Sequence, residues 1–215
     1  CVSETGMVEQ SDIDIILNNP IDWELFRNKT VLVTGATGRL GMYIVEAINK
    51  ADIDWNLNVT ILALARNEKK MQDVFGESLK LPNIHPIVQD ITEPIRWDGP
   101  VHYIFHTAGA ASPQDFTNWP VDTLWGHIQG TRNVLELARE KKAEKILYVS
   151  TVEVYGEWKS EQGIKEDDMG PMHCDNARAC YPEAKRMCET MLASYEAQYD
   201  IPYIGVRLCH TFGPG

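Results

Sequence analysis

Residues Thr30 to Gly41 read TVLVTGATGRLG, a β-branched apolar run that ends in three glycines spaced G-x-x-G-x-x-G at Gly35, Gly38 and Gly41. The run favours an extended strand, and Leu40 to Lys50 repeats its apolar residues with the period of a helix. The glycines therefore sit on a strand-to-helix turn. Without a Cβ the backbone turns tightly and approaches a ligand closely, while the helix N-terminus offers free N–H groups and the positive end of its dipole. That combination suits a pyrophosphate, so Gly35, Thr37, Gly38, Arg39, Leu40 and Gly41 are read as dinucleotide-binding. Taken alone, the same triplet also fits a purely structural turn.

Outward from this stretch, short β-rich runs alternate with longer segments of helical period. The strands expected are Val31 to Val33, Thr60 to Leu64, Ile84 to Val88, Tyr103 to His106, Ile146 to Val149 and Tyr203 to Leu208. Helices are expected over Leu40 to Lys50, Glu68 to Phe75, Val121 to Lys142 and Tyr181 to Tyr199. Such alternation predicts an α/β fold with a doubly wound parallel sheet, the Rossmann type. Residues 1–27 read as an N-terminal extension with a short helix around Ile13 to Leu17, and residues 28–215 as the dinucleotide-binding domain with the catalytic residues. Gly156 to Asn176, with no clear period, reads as a long functional loop.

Composition narrows the function. The chain has 215 residues, 44% hydrophobic and 24% charged, with a net charge of −11, which disfavours nucleic acid and anionic membranes as partners. No apolar run is long enough to span a bilayer, and the acidic start CVSETGMVEQSDID is unlike a secretory signal. Five cysteines without a C-x-x-C pair fit reduced thiols and a cytoplasmic location. No metal site is expected: His85, His102, His106 and His173 lack ligand spacing, and Met172 to Asp175 cannot all face one ion from an extended chain.

Further candidates lie where the strands end. Asp90, followed by Ile91, ends the third strand and suits an adenine amino group, and Ala108-Gly109-Ala110 after the fourth allows close passage of the dinucleotide. The second strand ends in Arg66, with no acidic residue to clasp the ribose diol of NAD. Arg66, with Arg39, either meets the 2′-phosphate of NADP or is a solvated surface residue. Tyr181 and Lys185 lie four apart on one helical face, so the ammonium can sit near the phenol and lower its pKa, making Tyr181 a base, with Thr151 hydrogen-bonding the developing oxyanion. Met187, Met191 and Tyr195 repeat at helical spacing, which predicts packing.

The glycine motif, the S-T-x-E-V-Y-G pattern from Ser150 to Gly156 and the Y-x-x-x-K pattern of Tyr181 and Lys185 together resemble the extended short-chain dehydrogenase/reductase family, the nucleotide-sugar epimerases, dehydratases and decarboxylases. Within it the chain looks most like the UDP-glucuronate decarboxylases (UDP-xylose synthases), through Ala110 to Pro113, Gly130-Thr131, Arg178 to Tyr181 with Lys185-Arg186, and Arg207 to Gly215. The resemblance implies transient oxidation of the sugar at C4, with Thr151, Glu153, Tyr181 and Lys185 catalytic and Ser112, Thr151 and His210 at the substrate. It also implies bound NAD, with NADP nearly as well supported, a nucleotide-sugar substrate and a homodimer. Relatives run on past the Gly215 segment into a substrate lobe of about 100 residues, so that lobe is expected to be largely missing here.

Three departures shape the expectation. Val152 stands where 4,6-dehydratases have Asp, and valine cannot move a proton, so decarboxylation or epimerisation is favoured over 4,6-dehydration. His127 and His210 stand where the family commonly has Asn, and each is either a change of substrate pocket or a satisfied structural histidine. Two other readings stay open: an NADP-dependent carbonyl reductase of the same superfamily, and a dinucleotide-sensing regulator without turnover.

Overall fold

The computed structural model describes residues 8–157 and 163–210. Along them run α1 (Gln10–Leu17), β1 (Thr30–Thr34), α2 (Arg39–Trp55), β2 (Thr60–Ala65), α3 (Glu68–Phe75) and β3 (Ile84–Val88). Then follow β4 (Tyr103–His106), α4 (Pro113–Asn118), α5 (Pro120–Lys141), β5 (Lys145–Thr151), α6 (Cys180–Tyr199) and β6 (Tyr203–Leu208). The strands form one sheet in the order β3-β2-β1-β4-β5-β6, and every neighbouring pair is parallel. The chain walks outward from β1 to β3, then restarts at β4 on the other side of β1. The crevice at the carboxyl ends of β1 and β4 is the switch point at which open α/β sheets bind ligands.

Side-chain alternation explains the layers. Val31, Val33, Ile61 and Ala63 face a core shared with Val45, Ile48 and Ala51 of α2. Leu32, Leu62, Leu64, Ile104 and Ile146 face a second core with Val134, Leu135 and Ala138 of α5 and Cys188 and Leu192 of α6. Both faces of β1 are covered, which is why it reads as an unbroken apolar run. The extension is held to α2: Ile13 is buried, and Tyr43 Oη donates to Asp12 Oδ2 at 2.8 Å. Among the described residues no helix is long and apolar enough to cross a membrane.

Two elements differ from expectation. Helix α2 runs on to Trp55 because nothing breaks it before Asn56, whose left-handed conformation (φ 50°) closes it. Helix α4 was not foreseen. Ser112 caps it by accepting from the Gln114 N–H at 3.2 Å, and Pro113 opens it, but six residues are too few to display a period. The expected loop over 156–176 holds no helix or strand in its described part; residues 158–162 lie outside the described residues.

Candidate active site

The glycine turn is shaped for close backbone approach. Gly35 adopts φ +66°, and a Cβ there would fall 2.8 Å from the Ala108 Cα. A Cβ on Gly41 would fall 2.3 Å from the Gly35 carbonyl oxygen, so α2 leaves β1 along a path only glycine permits. Gly38 is the N-cap of α2 and provides no side-chain cap, and the first turn carries no acidic residue. The first amides of a helix point out past its N-terminal end, and here that end stands beside the switch point. This cradle fits the pyrophosphate of a dinucleotide. Thr37 lies in the same turn, partly buried.

Across the crevice, Thr34 Oγ1 accepts from the Ala108 N–H at 3.2 Å, and Gly109, at φ +144°, carries the chain past the glycine turn. At the end of β3, Asp90 is exposed and one oxygen accepts from both the Thr92 N–H (2.9 Å) and its hydroxyl (2.8 Å). These bonds hold its carboxyl below the ordinary range, and the nearby Arg66 charge adds to the effect. Ile91 packs under Gly130, and its carbonyl accepts from Asn133 Nδ2 at 2.9 Å, tying this strand end to α5.

Tyr181 approaches Thr151 at the carboxyl end of β5, near enough for the threonine hydroxyl to act on the phenol's pKa. Lys185 is 5% exposed; its Nζ donates to the Val149 carbonyl at 2.7 Å and lies 4.7 Å from the Tyr148 ring centre and 6.0 Å from that of Tyr181. Burial drives the ammonium's pKa down to about 8. The Tyr181 phenol is pushed above its ordinary value by burial, against the lowering effect of the Thr151 hydroxyl. That corrects the expected direction. Phe116 stacks on the phenol ring at 4.2 Å and 14°, and His127 meets it edge-on at 5.4 Å, so desolvation outweighs charge.

Glu153 follows Thr151 in a short 3-10 turn, and both its oxygens accept from Arg178 Nη2, at 3.1 and 2.9 Å. The guanidinium lies 4.7 Å from the centre of the Phe116 ring, giving a layered column of Arg178, Phe116 and Tyr181. Glu153 and Arg178 line an open cleft of about 760 Å³ together with Gly156, Met172, Asn176 and Pro182. Ser112, the cap of α4, and His210, just past β6, are both exposed. The structure thus gathers Thr151, Glu153, Tyr181 and Lys185 at the carboxyl end of β5, and among the described residues no hydrogen bond joins Ser112 or His210 to them.

Sequence reasoning missed Phe116 and the buried His106. Ser112-Pro113 was the available signal for the helix that carries Phe116. His106 bonds Thr34 Oγ1 through Nδ1 (2.8 Å) and Thr131 Oγ1 through Nε2 (3.0 Å), and Thr131 in turn reaches Cys188 Sγ at 3.2 Å. Burial, with the Lys185 charge second, lowers the His106 pKa to about 3, so the ring is neutral. Of the three residues of α6 expected to pack, Met191 and Tyr195 lie against the core and Met187 is 49% exposed; the fully buried positions are Tyr181, Ala184, Lys185, Cys188 and Leu192.

Residues 31–215 match the NAD dependent epimerase/dehydratase family. The chain is 31% identical over 187 residues to UDP-glucuronic acid decarboxylase 6 of Arabidopsis thaliana, covering 87% of this chain and 52% of that protein. It is likewise 31% identical over 188 residues to UDP-glucuronic acid decarboxylase 1 of Xenopus tropicalis, covering 86% of this chain and 42% of the relative. The chain thus spans about half the length, or less, of these curated relatives. Among solved structures, the epimerase Mth375 from Methanothermobacter thermautotrophicus superposes with a TM-score of 0.73 at 22% identity, over 90% of this chain and 55% of that one. The UDP-glucuronic acid 4-epimerase from Bacillus cereus in complex with NAD gives 0.66 at 21% identity, over 86% and 57%. At these identities the solved structures speak for the fold.

Proposed function

The chain belongs to the NAD dependent epimerase/dehydratase family, and from that premise we propose that it is the dinucleotide-binding part, residues 28–215, of a nucleotide-sugar decarboxylase or epimerase. The observation that carries this reading is the buried Lys185, its ammonium on the Val149 carbonyl at 2.7 Å and 6.0 Å from the Tyr181 ring centre, at the end of β5 where Thr151 lies. When bound, the nicotinamide supplies a hydride acceptor and later returns the hydride. Tyr181, as the phenolate, accepts the proton of the sugar's C4 hydroxyl as the C–H hydride leaves, so alcohol becomes ketone and phenolate becomes phenol. Thr151 supports the oxygen by hydrogen bonding, and the Lys185 ammonium, present below about pH 8, favours the phenolate electrostatically. Glu153, held in place by Arg178, moves a proton at the ketone stage. Val152 has no proton to give, so 4,6-dehydration lacks its acid.

Incubating the full-length protein with UDP-glucuronic acid, the substrate class suggested by the relatives' names, tests this by mass spectrometry. Loss of carbon dioxide supports decarboxylation, and an unchanged mass with a new chromatographic position supports epimerisation. Neither product, with Tyr181→Phe indistinguishable from wild type, refutes the reading.

NAD is the dinucleotide proposed, because a reaction that returns its hydride leaves the cofactor unchanged and held. Arg66 favours a second reading, an NADP-dependent reductase: it is exposed at the end of β2, where no acid replaces it. Denaturing the purified protein and weighing the released dinucleotide separates the two. A homodimer through α5 and α6 is also proposed, supported by Trp119, Val121, Trp125 and Met187, which are exposed on those helices and the turn before them. Cys174, Cys180 and Cys188 form no disulfide among the described residues, which supports the cytoplasmic location proposed.

A further inference from the structure

His127 takes no part in the mechanism above, yet it reaches both halves of the site from α5. It is 2% exposed. Its Nε2 lies 2.9 Å from the Ala110 carbonyl oxygen, and a carbonyl only accepts, so Nε2 carries the hydrogen. Burial, aided by the Lys185 charge, holds the imidazole's pKa down at about 3, leaving a neutral ring. That ring meets Tyr181 edge-on, with centroids 5.4 Å apart and planes at 62°. It also fills the space that a side chain at position 109 would need: a Cβ there would fall 2.1 Å from Cε1 and 2.5 Å from Nδ1. The backbone behind it is tied down as well, since the His127 carbonyl accepts from Cys188 Sγ at 3.4 Å.

We propose that His127 is a positioning residue that locks the Ala108–Ala110 turn to Tyr181, so that the dinucleotide's passage and the phenol are held at one fixed separation. This rests on the reading of Tyr181 and the dinucleotide given above. Two properties of the side chain are needed together. The Nε2–H holds Ala110, and the ring's width keeps Tyr181 pressed on Phe116. Leucine fills much of the space but cannot donate; glutamine can donate but presents no ring edge.

The test uses full-length protein with His127→Leu and His127→Gln, reading NAD affinity by fluorescence titration, kcat and KM with UDP-glucuronic acid, and the melting temperature. H127L is expected to lose NAD affinity about tenfold, the effect of one buried carbonyl left without its donor, while H127Q stays within about threefold of wild type. Both are expected to lower kcat about tenfold with KM for the sugar unchanged, because the phenol is misplaced while the sugar's other contacts survive. Wild-type NAD affinity in H127L, equal losses of NAD affinity in the two variants, or an unchanged kcat in both overturns the proposal. Should H127L not fold, H127Q decides: lower kcat with near-normal NAD affinity supports the lock, and any other pattern overturns it. Should wild type turn over no sugar at all, the proposed function fails, while the NAD titrations still decide the role of His127.

Discussion

Gly41→Ala and Gly38→Ala separate what the glycine turn does for folding from what it does for binding. A methyl on Gly41 would stand 2.3 Å from the Gly35 oxygen and 2.8 Å from the Ala36 Cα, both backbone atoms that cannot rotate away. Comfortable contact begins near about 3.5 Å, so the start of α2 must move by about 1 Å. Overpacking of this kind costs about 1–3 kcal/mol, a drop of about 2–12 °C in melting temperature for a chain of this size. The same movement misaims the first amides of α2, and losing one or two such bonds weakens NAD binding about 10- to 100-fold. Gly38 is different. Its φ of −77° suits alanine, and a methyl there meets just the Gly35 oxygen, at 3.1 Å, on the exposed side of the turn. G38A should therefore melt within about 1 kcal/mol of wild type and still weaken NAD, because the methyl occupies the ligand's side. Scanning calorimetry and NAD titration on both variants check this. If G41A melts like wild type, or G38A binds NAD like wild type, the reasoning about the cradle is wrong.

The remaining predictions concern charge. Burial makes the folded chain bind the Lys185 proton more weakly (about 8) than an ordinary lysine (10.5), so the penalty is fully present below about pH 8 and disappears as pH rises through 10.5. That difference is on the order of 3 kcal/mol, so the stability of wild type relative to Lys185→Met should rise over that window in denaturant titrations; a gap that ignores pH refutes it. Arg178→Gln removes a partly exposed pair and should change stability by less than about 1 kcal/mol while lowering turnover, read by melting and by initial rates. Glu189→Gln should cost about 1–3 kcal/mol, because Glu189 accepts from Ser150 Oγ (2.5 Å) and from Arg207 Nε (3.1 Å) and Nη2 (2.8 Å). Arg207 also donates to the Glu166 carbonyl at 2.8 Å, so limited proteolysis should cut near Glu166 sooner in E189Q.

Much of this was readable from residues 30–41 outward, and the physics says why. Strand, turn and helix are local, and the apolar runs of β1 and β2 announce a sheet buried on both faces. Tyr181 and Lys185 were found because four residues make one helical turn. What escaped was non-local. Phe116 reaches Tyr181 from 65 positions away, on a helix of six residues. On α6, Met191 and Tyr195 pack against the core as their spacing predicts, but Met187 stands in the open and the buried face includes a lysine, which a search for apolar periodicity passes over. The direction of the Tyr181 shift was misjudged for the same reason: spacing reveals the charge one turn away, and not the two rings that exclude water.

The polar residues that sequence reading treats singly form a connected path beneath the site. Thr34 on β1, His106 on β4, Thr131 on α5 and Cys188 on α6 are linked by hydrogen bonds of 2.8, 3.0 and 3.2 Å, and Cys188 passes on to the His127 carbonyl at 3.4 Å. All four side chains are buried, so each bond would leave a costly orphan if its partner shifted. Apolar packing tolerates small slides between elements, whereas a satisfied chain of directional bonds does not. The four elements it joins are those that carry the glycine turn, the Ala108–Ala110 passage, His127 and the Tyr181–Lys185 pair. Register between the glycine turn and the phenol is thus set by buried hydrogen bonds at the sheet's centre, and the partly exposed Glu153–Arg178 pair stands outside that path.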